Sequence, residues 1–385
     1  MPPSPARAAA EPLFAKALKA LHGKNHVKAQ RLFRECLKAD QDWHAAWCNL
    51  GAALFDAGLY QEALKPLETA RRLAPEAGAV RFNLAQALLM QGRWQEGFAE
   101  YRERWRGTPE MSDHRIGPWP RWQGEPLAGR PLVVLAEQGL GDFIMFARFL
   151  PLVPRDGGPV ILHCPSAARP LFEGFPGVDQ VVDQNHRMDP SFPRVPLADL
   201  PALLGASPDG GAAVPYLRAD DAAVGRWAAR LDALCPPGRR RIGLIWQGNP
   251  AQACEPERSI PLRKLAPLLS RPDIAVVSLQ RDHGLDQLDA LPDGLRPASL
   301  GPEFRDMADT AAAMAGLDLV ISTCTGPAHL AGALGRPTWL MLKKVPDWRW
   351  LAAGETTAWY PTMRLFRQPR PGAWDAVVEQ VVRAL

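Results

Sequence analysis

The chain has 385 residues, 47% of them hydrophobic and 22% charged, with a formal net charge of +4. This length allows two or three domains, the composition is that of a globular protein, and the charge is too small for the dense basic face that a nucleic-acid partner requires. No apolar run approaches a membrane span, the opening MPPSPARAAAEP lacks the apolar core of a secretory signal, and the cysteines at 36, 48, 164, 235, 254 and 324 and the eight histidines show neither CxxC nor metal-ligand spacing. The expectation is a cytoplasmic protein with reduced thiols, no metal and no resident cofactor.

Residues 1–104 repeat at a shift of 34: Ala17, Gly51 and Ala85 fall in one column, Ala20, Leu54 and Leu88 in a second, Ala29, Ala63 and Gly97 in a third, Phe33, Leu67 and Tyr101 in a fourth. Small residues alternate with large ones, as two closely packed helices require. The middle unit, with Trp47, Leu50, Gly51, Leu54, Ala63, Leu67, Ala70 and Pro75, resembles the tetratricopeptide repeat in position and period. About three such helical hairpins form a short concave surface for an extended peptide, a second copy of the chain or the next domain. Asn49 and Asn83, one repeat apart, either hydrogen-bond a bound backbone, are solvated, or satisfy a neighbouring helix end.

Residues 105–130 break the pattern with Pro109, Pro118, Pro120 and Pro126, yet Trp105, Trp119 and Trp122 are too apolar for a free linker. They predict an ordered connector lying against the next domain. From Pro131 apolar strands alternate with helices: Leu132–Ala136, Pro159–Cys164 and Val178–Val182, then a helix over Asp220–Leu234. The break CPPGRRR, Cys235–Arg241, separates this round (131–237) from a second (238–385), which has strands at Ile242–Trp246, Ile274–Leu279, Leu317–Ile321, Trp339–Leu342 and Met363–Phe366. Helices are expected at Leu262–Leu269, Asp306–Ala315 and Trp374–Leu385. Alternation of this kind predicts parallel sheets and two Rossmann-like halves with a ligand cleft.

The stretch Ile321–Met341 reads as strand, tight turn, short helix and strand. The free N–H groups of a helix start suit a phosphate, and the hydroxyls of Ser322, Thr323 and Thr325 beside Cys324 and Gly326 add donors. The same pattern fits an ordinary βα turn with a glycine C-cap. In EQGLGD, Gly139 and Gly141 turn the chain from strand to helix. Ile144 stands where a dinucleotide fingerprint has its third glycine. Asp142 is either a helix-start acid complementing the dipole or a base for an acceptor hydroxyl. After the strand ending at Trp246 come Gln247, Gly248 and Asn249, then a polar loop with Arg258 and Ser259. Arg258 is either a surface charge or a phosphate ligand. In PDWRW, Trp348 and Trp350 wall a pocket or serve packing, and Arg349 pairs with Asp347 or reaches a phosphate.

Together GLGD, the GNP…RSIPL loop, SLQ at Ser278–Gln280, TGPAHLAGALGRPTW and DWRW resemble the GT-B glycosyltransferases of the ADP-heptose:lipopolysaccharide heptosyltransferase-like class, most closely the bacterial subgroup with an N-terminal tetratricopeptide domain, to which flagellin glycosyltransferases belong. The resemblance runs from about Leu13 to Leu385 and implies helical repeats followed by a GT-B pair of Rossmann-like domains. It also implies an inverting, metal-independent transfer from a nucleotide-activated sugar. The general base falls on Asp142. Donor contacts fall on Thr325, Gly326, His329 and Gln280, and Gly139, Gly141, Gln247, Gly248, Asn249, Arg258, Ser259, Cys324, Pro327, Trp348 and Arg349 are the further donor-side candidates in these motifs. Two departures stand out: Cys324 occupies the place of the usual Asp, and Arg258 is the only obvious substitute for a loop lysine.

Two classes of function fit. One is an enzyme whose repeats present a protein acceptor such as flagellin, or which takes a small glycan. The other is a tetratricopeptide adaptor with a degenerate transferase domain, for which Cys324 is the best support.

Overall fold

The computed structural model describes residues 5–106, 119–252 and 255–385. Two compact units emerge: residues 1–117 with 345–353, and residues 118–344 with 354–385.

Among the described residues the first unit holds six α-helices: α1 (Pro5–His22), α2 (His26–Ala39), α3 (His44–Asp56), α4 (Tyr60–Leu73), α5 (Gly78–Met90) and α6 (Trp94–Tyr101). The columns of the 34-residue repeat are the packing positions. Ala17, Ala85, Ala29, Ala63, Phe33 and Leu67 are all fully buried. The small residues let paired helices approach. A Cβ on Gly51 would lie 2.4 Å from Leu67 Cγ, and one on Gly97 2.6 Å from Leu89 Cγ. Gly51→Ala is therefore expected to destabilise this unit by about 1–3 kcal/mol through overpacking, read as an earlier loss of helical circular dichroism on heating.

Residues 345–353 belong to this unit although they come after the strand at 338–342. Trp348 is buried, with ring centroids 6.5 Å from Trp94, 6.1 Å from Phe98 and 6.0 Å from Tyr101.

The second unit holds two wholly parallel sheets. One contains β1 (Leu132–Leu135), β2 (Val160–Cys164), β3 (Gln180–Asp183) and β4 (Arg194–Pro196), in the order β3-β2-β1-β4. The other contains β5 (Arg240–Ile245), β6 (Ile274–Ser278), β7 (Ala298–Ser299), β8 (Leu319–Thr323), β9 (Thr338–Leu342) and β10 (Met363–Arg367), in the order β10-β9-β8-β5-β6-β7. Burial on both faces explains the largely apolar runs of β1, β2 and β8, all of whose residues are buried. The sequence pattern omits β4 and β7. The expected Leu262–Leu269 helix divides into a 3-10 turn at Leu262–Leu265 and a short α-helix at Ala266–Leu269, because Pro267 falls inside it.

In each sheet the chain reverses its direction of travel at one place, between β1 and β4 and between β5 and β8. These are the switch points beyond whose carboxyl ends open α/β sheets bind ligands.

Of the expected connector, residues 107–118 lie outside the described residues. Trp105 and Arg106 belong to the first unit and residues 119–130 to the second, where Trp122 is fully buried and its backbone N–H donates to Arg194 O at 2.9 Å. Among the described residues, Cys36, Cys48, Cys164, Cys235 and Cys324 form no disulfide; Cys254 lies outside them. Burial pushes the Cys164 thiol up to about 12, as for an inert core residue.

Candidate active site

Helix α7 (Leu140–Ala147) leaves the end of β1, and the Gly326–Ala333 helix leaves the end of β8. Their N-terminal turns meet. A Cβ on Gly326 would be 3.5 Å from Gly141 N, and one on Gly141 would be 2.7 Å from His329 Cδ2 and 3.4 Å from Gly326 Cα. Two partly positive helix ends brought together in this way favour a negative charge between or beside them. Asp142, in the first turn of α7, supplies one: its Oδ2 accepts from Gly139 N–H at 3.1 Å, which caps the start of the helix and orients the carboxylate. The turn is reached through Gln138 at φ +59°, a left-handed conformation costly for a residue with a Cβ.

At the other tip Thr325 is the N-cap in extended conformation. Pro327 contributes no N–H, and Ala328 N–H turns back to Thr325 O at 3.1 Å. The hydroxyls close on the turn itself: Ser322 Oγ donates to Thr323 O at 2.7 Å and lies 3.1 Å from Thr325 Oγ1. Thr323 Oγ1 is buried with no hydrogen-bond partner among the described residues. Cys324 is half-buried between them. His329 is buried, with Nδ1 3.0 Å from Tyr360 Oη.

Beyond β5 the loop is drawn together by two polar side chains. Gln280 Oε1 accepts from Trp246 N at 3.2 Å and Gln247 N at 3.1 Å, and its Nε2 donates to Gln247 O at 2.8 Å. This residue thus straps the end of β6 to the end of β5. Glu255, buried, accepts from Gly248 N at 2.7 Å, from Arg258 Nε at 2.8 Å and from the Ser259 hydroxyl. The Arg258 guanidinium is therefore held by a carboxylate inside its own loop, and Asn249 Oδ1 accepts from Ala251 N at 2.9 Å. The sequence pattern does not single out Glu255; the only signal it offers is the i,i+3 spacing from Arg258.

Residues 262–339 match the glycosyltransferase family 9 (heptosyltransferase) model and residues 54–97 a tetratricopeptide repeat model. Protein FlbA of Caulobacter vibrioides is 31% identical over 382 residues, covering 92% of this chain; the chain spans 63% of that relative's length. The structure is similar to a glycosyltransferase family 9 protein of Veillonella parvula, with TM-score 0.51, 13% identity, 68% of this chain and 97% of that one covered. It is also similar to ADP-heptose lipopolysaccharide heptosyltransferase II of E. coli, with TM-score 0.44, 12% identity, and 66% and 99% covered. One chain thus carries both a tetratricopeptide repeat match and a glycosyltransferase family 9 match. The likeness to the Veillonella structure shows the GT-B-like fold of the α/β unit.

The family 9 match takes in Gln280, Cys324, Thr325, Gly326, Pro327 and His329, whereas Asp142 and Arg258 precede it. The structure brings Gly139, Gly141 and Asp142 to Gly326 and His329 at one junction, and gathers Gln247, Gly248, Arg258, Ser259 and Gln280 beyond β5. Trp348 and Arg349 belong to the helical unit, where the Arg349 guanidinium stacks 4.3 Å over the Trp348 ring and Nη1 pairs with Asp347. In the tetratricopeptide array Asn49 Nδ2 donates to Ala45 O at 2.8 Å within its own helix, and Asn83 Nδ2 to Cys48 Sγ at 3.2 Å. Among the described residues no three His, Cys, Asp or Glu side chains converge as metal ligands, and no helix is long and apolar enough to cross a membrane.

Proposed function

We propose that this chain is an inverting, metal-independent cytoplasmic glycosyltransferase. It moves a sugar from a nucleotide-activated donor to an acceptor hydroxyl, with a protein acceptor docked at the repeats. The observation that carries the reading is the meeting of two helix N-termini, α7 and Gly326–Ala333, at the sheet switch points with the Asp142 carboxylate beside them. The junction suits a diphosphate on electrostatic grounds, and the carboxylate suits an acceptor hydroxyl. Asp142 takes the hydroxyl proton, the oxygen attacks the anomeric carbon, and the bond from that carbon to the diphosphate breaks on the opposite face. The nucleoside diphosphate leaves with the electron pair. Arg258 assists only by exchanging Glu255 for a phosphate.

The full-length chain incubated with a panel of nucleotide sugars is expected to release nucleotide from one donor well above the others. Cys324, at the turn where the family resemblance leads one to expect Asp, favours a second reading as an adaptor with an inactive transferase domain. Silence across the whole panel, with tight binding of a peptide to the repeats, would establish that reading instead.

A further inference from the structure

Lys343 comes directly after Leu342, the last residue of β9, and its Nζ pairs with Glu257 Oε2 at 3.0 Å. Glu257 belongs to the short helix Glu255–Arg258, which follows β5. In the sheet order β9-β8-β5 the strand between these two is β8. All three run parallel, so their carboxyl ends share one edge. Neighbouring strands lie about 4.8 Å apart, which leaves about 10 Å between β9 and β5. The ion pair bridges that gap past the end of β8, where the turn at residues 322–326 begins. Thr323, the last residue of β8, is fully buried, and its Oγ1 has no hydrogen-bond partner among the described residues. The edge that the pair spans thus keeps an unused hydroxyl donor.

Arg258 and Lys343 both stand at this edge, and their partners decide which of them can turn to a ligand. Arg258 is held by Glu255, which is 4% exposed and also accepts from Gly248 N at 2.7 Å and from the Ser259 hydroxyl. Drawing the guanidinium away leaves a buried carboxylate short of its counter-ion, which is costly. Glu257 is 42% exposed and Lys343 23%. A pair this open to solvent contributes little, because water and salt replace either partner. The lysine ammonium is also a point charge on a flexible stem, with no fixed direction of approach. Lys343 can leave Glu257 at small cost, whereas Arg258 leaves Glu255 only at a large one.

We propose that Lys343 is a phosphate-binding residue of this chain, resting on Glu257 until a donor diphosphate competes for its ammonium. This deepens the transferase reading and rests on it for the identity of the anion. Glu257 keeps the cation beside the turn and gives it up when the anion arrives. The ammonium N–H groups then donate to phosphoryl oxygens, with the Thr323 hydroxyl as a further donor. As the bond to the anomeric carbon breaks, charge gathers on the diphosphate and the ammonium offsets it.

The test is calorimetric titration of the full chain with inorganic pyrophosphate at fixed pH and ionic strength. Lys343→Gln should weaken binding by about tenfold or more, and Lys343→Arg should restore most of the loss. Glu257→Gln should tighten binding by about two- to fivefold, because the competing carboxylate is gone. In the Lys343→Gln background that gain should vanish, which separates exchange of one ammonium from a general change of charge. Lys344→Gln, which removes the same charge from the exposed neighbour, should matter far less than Lys343→Gln. Opposite signs in the two partners are the signature: a pair that only braces the loop would weaken binding whichever side is removed.

Loss of affinity in both single variants overturns the proposal, as does an unchanged Lys343→Gln or a wild-type chain that binds no pyrophosphate. Any of these results alongside nucleotide release by the wild-type chain removes Lys343 from the site and spares the transferase reading. Opposite signs, with a gain that needs Lys343, but no nucleotide release from any sugar donor would uphold the cation and count against the transferase reading alone.

Discussion

Asp142→Asn is expected to lower turnover by about 100- to 10,000-fold, the usual contribution of a positioned base, while nucleotide binding holds or tightens. The replacement is nearly isosteric. Its amide oxygen can still accept from Gly139 N–H, so the bond that now measures 3.1 Å to Oδ2 survives and the start of α7 stays capped. What disappears is basicity and one negative charge. Loss of the charge removes repulsion of a diphosphate from the meeting point of two helix N-termini, which is why affinity should not fall. The check is steady-state transfer together with nucleotide calorimetry on the same preparation and a melting curve matching the parent. Normal turnover in the Asn variant would remove Asp142 from the mechanism. A collapse of both binding and melting temperature would make it a structural acid instead.

How far the sequence reaches depends on whether a feature is local. The repeats are legible because a 34-residue period recurs at the positions where Gly51 packs on Leu67 and Ala63 is buried, and that packing is what the composition reports. The strands β1, β2, β5 and β8 are legible because burial on two faces leaves an apolar run. β4 and β7 are not: Arg194–Pro196 and Ala298–Ser299 are strands only because β1 and β6 pair with them, and three or two residues carry no period. The turn at residues 322–326 could be read from its small polar residues and the helix after them.

Its supports could not be read. Tyr360 lies 31 positions from His329, and Glu255 becomes informative only when Gly248 N, Arg258 and Ser259 are seen to converge on it. Trp348 shows the same limit. It comes shortly after a strand, and nothing in PDWRW announces that the ring closes a cluster with Trp94, Phe98 and Tyr101 in the helical unit. Sequence period reports how often a chain is buried, not against which distant segment.

Arg148→Met is expected to give the largest loss of stability in the α/β unit, about 2–4 kcal/mol for two charge-assisted bonds and the carbonyls they leave behind. Arg148 caps the C-terminus of α7 and is 4% exposed. Its Nη1 donates to Trp359 O at 2.7 Å and Nη2 to Ala212 O at 3.0 Å, so one side chain ties the helix after β1 to the segment before β10. The guanidinium also lies 5.5 Å from the Tyr216 ring centroid and 6.0 Å from that of Trp359, contacts worth more when desolvated. Methionine keeps the length and apolar stem but satisfies neither carbonyl. A denaturant midpoint shifted well below that of an exposed control such as Arg383→Met, which should move by no more than about 0.5 kcal/mol, is the confirming result.

The functional consequence comes from adjacency. Trp359 precedes Tyr360, and the 212–217 segment carries Tyr216, so loosening Arg148 should also free the His329 ring and weaken nucleotide binding. Arg148→Lys, able to keep one of the two bonds, should fall between parent and Met in both measurements. If the midpoint drops while nucleotide affinity stays put, Arg148 holds the two sheets' segments together without setting the geometry of the tip at Gly326. If the two fall in step, the tip depends on that tie.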